Sequence, residues 1–294
     1  MASLKAIRRR IASVASTQKT TRAMKLVSSA KLRRAREARE RARPYVTAAV
    51  EMAGSVPKAL FEPFALHAEA RARALLVVVS SDRGLCGAYN ANLMRAVEEK
   101  ERELRARGLE PLFFAVGRRA LDHLRRARAT ILDQRVNLAP RAAKAELARE
   151  LAARVLKQYE GGEIRQAGIA YNVFRSMFSQ QPVYRMLMPA EAPQPEQAQA
   201  DARGSTEPYF LLEPAPPELA PVVVRFYLEA EIFAALLDAE TGEHAARMMA
   251  MDAATNNAGE MIERLTLEMN RVRQGTITRE LMDIVSGAEA LREF

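Results

Sequence analysis

Residues 1–43 read MASLKAIRRRIASVASTQKTTRAMKLVSSAKLRRAREARERAR, a stretch without one glycine or proline; the first proline is Pro44. The other end of the chain answers it, with no proline between Val222 and Phe294. Uninterrupted stretches of this kind are expected to be long helices. The first alone would extend about 65 Å at 1.5 Å per residue, more than a small domain needs. Neither rod can bury an apolar stripe by itself, so the two are expected to pair as a long antiparallel coiled coil.

The seams can be followed residue by residue. In the first rod Leu4, Ile7, Ile11 and Val14 keep heptad spacing, and the same register then passes through Gln18, Thr21, Lys25 and Ser28 before Leu32 and Ala35. A seam that turns polar in mid-helix loses packing. Two explanations stand side by side: a register shift onto Met24, Val27 and Ala30, or a stretch that meets something other than the partner helix. The last rod is cleaner, with Met248, Met251, Thr255, Ala258, Ile262, Leu265, Met269 and Val272 at heptad spacing.

Between the rods the period changes. ALLVVVS at 74–80 is a β-branched run of strand length that ends at the turn Ser81-Asp-Arg-Gly84. Helical patterns at Ala88–Arg107, Arg118–Arg126 and Arg141–Tyr159 alternate with strands at Pro111–Val116, near Thr130–Val136 and at Arg165–Phe174, with a further strand at Val183–Met188. Such alternation implies a Rossmann-like wound α/β domain with a mostly parallel sheet. Eight of the 14 prolines fall between Pro189 and Pro221, which disfavours regular structure, so 190–207 is expected to be a mobile insert. The domain plan is an N-terminal coiled-coil helix over 1–56, the α/β domain over 72–190, a Pro-rich linker over 191–221 and a C-terminal coiled-coil helix over 222–294.

The formal charge is +9. Residues 1–43 hold fourteen Lys and Arg against Glu37 and Glu40, so the first helix carries more than the whole basic excess. It calls for an acidic partner: nucleic acid, anionic lipid or acidic protein loops. There are no aromatics from Met1 to Pro44, hence no platform on which bases could stack. One cysteine, Cys86, precludes an intrachain disulfide, and no apolar run reaches the length of a membrane span.

Little of the chain looks catalytic. The segment Ser80–Asn90 lies at the carboxyl end of a strand, where wound α/β proteins place ligands, and Gly84 and Gly87 could bring amides near a phosphate. Gly-x-x-Gly is not a dinucleotide fingerprint or a P-loop, however, and a structural turn is the better reading. The three histidines, His67, His123 and His244, show no pairing pattern with Cys86 or with one another, so neither a thiol nucleophile nor a metal site is expected.

Three segments together resemble one family. IRRRIASVASTQKTTRAMKLV at 7–27, SDRGLCGAYN at 81–90, and AATNNA at 253–258 continuing to NRVRQGTITRELMDIVSGA at 270–288 are similar, in order and over nearly the whole chain, to the gamma subunit of bacterial F-type ATP synthases. Gly275 departs from the family's usual Ala. The resemblance implies a non-catalytic central-stalk rotor without a cofactor. It would couple proton-driven rotation of the c-ring to ATP synthesis through asymmetric contacts with the catalytic beta subunits. It also implies alpha, beta and epsilon subunits and the c-ring as partners, and no nucleic acid. Membrane association would come only through the complex, at the cytoplasmic face of a bacterial inner membrane; the absence of a presequence before the matching region favours a bacterium. Partner contacts carried over by motif are Lys19, Arg22, Met24 and Lys25 on the first helix, and Asn270, Arg271, Arg273, Gln274, Thr276, Thr278 and Glu280 on the last. Met24 is expected to face Thr276 or Thr278 across the coil. The alternative function is a nucleic-acid-associated basic coiled-coil protein.

Overall fold

The computed structural model describes residues 4–64, 70–137, 141–191, 213 and 215–290. A first helix, α1 (Leu4–Ser55), is followed by two single 3-10 turns and then by β1 (Arg73–Val79), α2 (Tyr89–Ala106), β2 (Glu110–Val116), α3 (Arg118–Arg126), β3 (Ile131–Arg135), α4 (Arg141–Glu160), β4 (Gln166–Phe174), β5 (Gln180–Met188) and α5 (Pro216–Ala290). The chain forms two compact units, Ser29–Arg247 and Met1–Ser28 with Met248–Phe294.

The larger unit is built on a sheet of order β3-β2-β1-β4-β5. Its first four strands are parallel and β5 closes the far edge antiparallel to β4. The apolar run of β1 suits a strand covered on both faces, and Leu76, Val77 and Val78 are completely buried. One face packs Leu93, Val97 and Leu104 of α2 and Leu121 and Leu124 of α3. The other packs Leu151, Val155 and Tyr159 of α4 together with Leu228, Ile232 and Leu236 of α5. The edge strand β3 alternates, as a half-covered strand should.

Boundaries differ from the sequence expectation in two places. The last helix begins at Pro216 rather than at Val222. Proline is well accommodated in a first helical turn, where amides have no intrahelical acceptor to lose, so Pro216 and Pro217 start the helix, while Pro221 lies inside it and forgoes one backbone bond. Residues 192–212 and 214, which hold nearly all of the 190–207 insert, lie outside the described residues. Strand β5 starts at Gln180 rather than Val183, because it pairs with β4 back to Phe174.

In the smaller unit α1 and α5 run antiparallel. Gln18 Nε2 donates to the Thr255 carbonyl (3.4 Å), the Thr255 hydroxyl donates to Thr21 Oγ1 (2.8 Å), and Lys25 Nζ pairs with Asp252 Oδ1 (2.6 Å). Carried outward, this register sets Val14, Ile11, Ile7 and Leu4 against Ile262, Leu265, Met269 and Val272. Ile7, Met251, Ala258 and Leu265 are buried, and the other apolar seam positions are half-buried.

Candidate functional site

The polar middle of the first seam is the feature on which the two sequence explanations diverge, and the structure follows neither. Val27 and Ala30 are exposed, so no register shift takes place. Thr21 and Ser28 are buried at 8% and 3% exposure while Gln18 and Lys25 are half-buried, so the seam continues unbroken. Its polar side chains meet polar groups of α5: the Thr255 hydroxyl and carbonyl and the Asp252 carboxylate. A hydroxyl or ammonium in a seam costs stability unless it is bonded, and Gln18, Thr21 and Lys25 find these partners at one register only. The segment gives up apolar packing for a fixed alignment of the two helices.

Of the residues carried over by motif, Lys25 and Met24 are half-buried, and Lys25 is tied to Asp252. Lys19 and Arg22 are exposed, as are Lys5, Arg8, Arg9 and Arg10, and none of these six cations enters an ion pair among the described residues. On α5, Asn270 is half-buried. Arg271, Arg273, Gln274, Thr276, Thr278 and Glu280 are all exposed, and the Thr276 hydroxyl donates only to the carbonyl of Val272 one turn back (2.9 Å). Met24 does not face Thr276 or Thr278: the register puts it near Asp252. The α1 register ends at Val272, and every position from Arg273 to Val285 is exposed. Ile277, Leu281, Ile284 and Val285 recur at helical spacing along this exposed end. An apolar stripe of this kind, on a helix end with no partner among the described residues, marks a surface that another molecule covers.

A second polar constellation holds the turn after β1 in the larger unit. Arg247 of α5 donates to the carbonyls of Gly84 (Nε, 3.2 Å) and Arg83 (Nη2, 3.0 Å) and pairs with Glu243 (2.7 Å). Nearby the Tyr89 hydroxyl donates to the Ala239 carbonyl (2.7 Å), and Asn172 Nδ2 donates to the Tyr89 carbonyl (3.2 Å). Leu85, at the tip, takes a positive φ of 63°, a backbone state that non-glycine residues avoid. Arg247 is anchored on the two residues that precede Leu85, Arg83 and Gly84, and holds the turn in that state. Asp82 caps the following elements, accepting from the amides of Arg118 (3.0 Å) and Asn137 (2.8 Å).

Cys86 is buried, accepts from Asn90 Nδ2 at 3.0 Å, and has its thiol pKa pushed up by burial. Such a thiol is a poor nucleophile at neutral pH. Burial also raises the Glu243 carboxyl above its usual range. Burial and then the positive fields of Arg247, Lys31 and Lys144 push His244 down to about 4. Among the described residues no three His, Cys, Asp or Glu side chains converge as a metal site. The Arg247 clamp escaped the sequence reading; its only signal there is the spacing Glu243 to Arg247, and its acceptors are backbone carbonyls that no side-chain pattern reveals.

Comparison with known proteins places this geometry. A family model described as ATP synthase matches residues 3–291. Proteins named ATP synthase gamma chain are similar over 99% of this chain and their own full length, at 41% identity from Rhizobium etli, 43% from Acidiphilium cryptum and 44% from Granulibacter bethesdensis. The fold is similar to a chain in the central stalk and c-ring structure of Tetrahymena thermophila mitochondrial ATP synthase, with TM-score 0.60, 24% identity, and coverage of 80% of this chain and 99% of that one. It is likewise similar to a chain in the rotor structure of Euglena gracilis mitochondrial ATP synthase, with TM-score 0.62, 21% identity, and coverage of 93% and 98%.

Proposed function

The chain belongs to the ATP synthase gamma chain family, and we propose that it works as the rotor of such an enzyme, turned by a proton-driven c-ring. The observation that carries this reading is the antiparallel pair of α1 and α5. Its seam is pinned by Gln18, Thr21 and Lys25 against Thr255 and Asp252, while Lys5, Arg8, Arg9, Arg10, Lys19 and Arg22 enter no ion pair among the described residues and positions 273–285 of α5 are exposed. A shaft must hold one alignment internally and offer its contacts outward. Nucleic-acid binding by the basic helix gains no support from the relatives.

A single helix pair has no three-fold symmetry, so it meets three identical beta subunits differently. Differential contact is what shifts a conformational equilibrium. Swinging one site from 1:99 to 99:1 takes about 5.5 kcal/mol of differential interaction. Lys19, Arg22 and Arg271 with Arg273, Gln274 and Glu280 are exposed and are the groups assigned to acidic and polar loops of the ring; Met24, Lys25 and Asn270, half-buried, tie the helices. Thr276 and Thr278 belong with the exposed end, whose apolar stripe seats against the alpha and beta subunits. The α/β unit is assigned to epsilon and the c-ring. No helix among the described residues is long and apolar enough to cross a membrane, and attachment through the complex would place the chain at the cytoplasmic face of a bacterial inner membrane.

The test is reconstitution of the full chain with purified alpha and beta subunits, followed by ATP hydrolysis. A complex of one chain per three alpha-beta pairs, active only with the chain present, is the expected result. Arg273→Ala with Gln274→Ala should leave the chain folded and lower proton-coupled ATP synthesis in membrane vesicles. Failure to associate would sink the rotor reading, and unchanged synthesis would remove these two residues from it.

A further inference from the structure

The larger unit contains a cavity of about 470 Å³, within the range of small-molecule sites. Its floor is the carboxyl ends of two neighbouring parallel strands, Val79–Ser80 after β1 and Val116–Gly117 after β2. Ligands of open α/β sheets lie beyond this edge. Gly117 has φ +89°, and a Cβ on it would collide with the Ser80 carbonyl. Glycine therefore lets the two strand ends close into a floor. One wall is apolar, formed by Ala35 and Ala38 of α1 with Leu236 and Ala239 of α5.

The charges on the rim are unequal. Glu243 is paired with Arg247 at 2.7 Å, Glu240 with Lys144 at 3.2 Å, and the Asp82 carboxylate is occupied by two backbone amides. The acidic groups of the lining are thus all engaged. Lys31, Arg34 and Arg83 are exposed at the mouth, and none of their side chains forms an ion pair among the described residues. The positive field reaches inward: burial first, and then Arg247, Lys31 and Lys144, lower the pKa of His244. Three free cations over a pocket with an apolar wall match a ligand that has a multiply charged head and an organic body.

We propose that this cavity binds an organic phosphate of nucleotide size, with its phosphates on Lys31, Arg34 and Arg83 and its organic part against Ala35, Ala38 and Leu236. Occupancy bridges α1, α5 and the carboxyl edge of the sheet, so a bound ligand stiffens the larger unit. The site stands apart from the rotor reading, and its test needs only the isolated full-length chain.

Titration calorimetry of that chain with ATP and with inorganic pyrophosphate, without divalent cations, decides it. One saturable site is expected for ATP, weakening as salt is raised. Lys31→Glu with Arg34→Glu, and separately Arg83→Glu, should each weaken ATP by about tenfold or more, the effect of losing charge-assisted contacts. Arg8→Glu with Arg9→Glu, exposed cations of the other unit, should leave it unchanged. Ala38→Phe, intruding on the apolar wall, should weaken ATP more than pyrophosphate. Absence of saturable binding, or equal losses in the Arg8/Arg9 control, overturns the site. Pyrophosphate binding as tightly as ATP overturns the organic part of the ligand.

Discussion

The α/β unit and the helix pair of the smaller unit solve the same problem with opposite means. The sheet hides Leu76, Val77, Phe113 and Phe114 completely, with helices on both sides. The helix pair hides little: most of its seam is half-buried, and its middle is held by Thr255, Asp252 and their polar partners. Burial is non-directional and proportional to area, so it gives the sheet its depth of stability. Hydrogen bonds and ion pairs add little net energy but demand one geometry, so they give the helix pair its alignment. A structure that must be handled from outside benefits from the second strategy, because little of its surface is spent on itself.

The largest effect expected from breaking this contrast comes from the sheet. Phe113→Ala should cost about 3–5 kcal/mol in a denaturant melt, and a loss under 1 kcal/mol would mean that the sheet is not the stable part. Next comes the pH response of the larger unit. His244 sits at about 4 when folded against an ordinary 6.5. The unfolded chain therefore binds the extra proton between those values, and stability contributed by the neutral ring falls as pH drops from 6.5 to 4, by at most about 3 kcal/mol. Glu243, raised by burial, works in the other direction, so the informative quantity is the difference between wild type and His244→Gln. The variant's stability should decline less on acidification, and parallel curves would refute the assignment.

In the helix pair, Ile11→Ala removes a half-buried seam residue and should cost about 1–2 kcal/mol. Amide hydrogen exchange of 4–28 should speed up while that of β1 is unmoved; coupled changes would show that the two units unfold as one. The smallest effect belongs to Lys25 and Asp252, both more than a third exposed. A double-mutant cycle with Lys25→Met and Asp252→Leu should give a coupling below about 1 kcal/mol. A much larger coupling would make the tie a source of stability instead of register.

What could be read from the sequence follows the same division. The run at 74–80 declares a buried strand because its chemistry is local, and the apolar turns of both rods declare helices for the same reason. The polar seam could not be paired from the sequence, since Thr21 and Thr255 become neighbours only through folding and their spacing looks the same whichever partner satisfies them. The Arg247 clamp is invisible for a stronger reason, because it bonds to carbonyl groups that every residue carries. The helix start at Pro216 was hidden by composition: prolines that signal a linker in bulk are also compatible with a first turn.

Gly275 lies three residues past Val272, the last α5 position that the described part of α1 faces, and no described residue of another element stands within 4 Å of where a Cβ would be. Glycine in a helix interior gives up roughly 1 kcal/mol against alanine. The last turns of α5 thus carry their weakest helix former just past the point where, among the described residues, α1 ceases to accompany them. In mechanical terms the tip is a compliant coupling, able to flex under load that a doubled rod would pass on undiminished, and a single methyl group at position 275 would stiffen it without meeting a neighbouring element among the described residues.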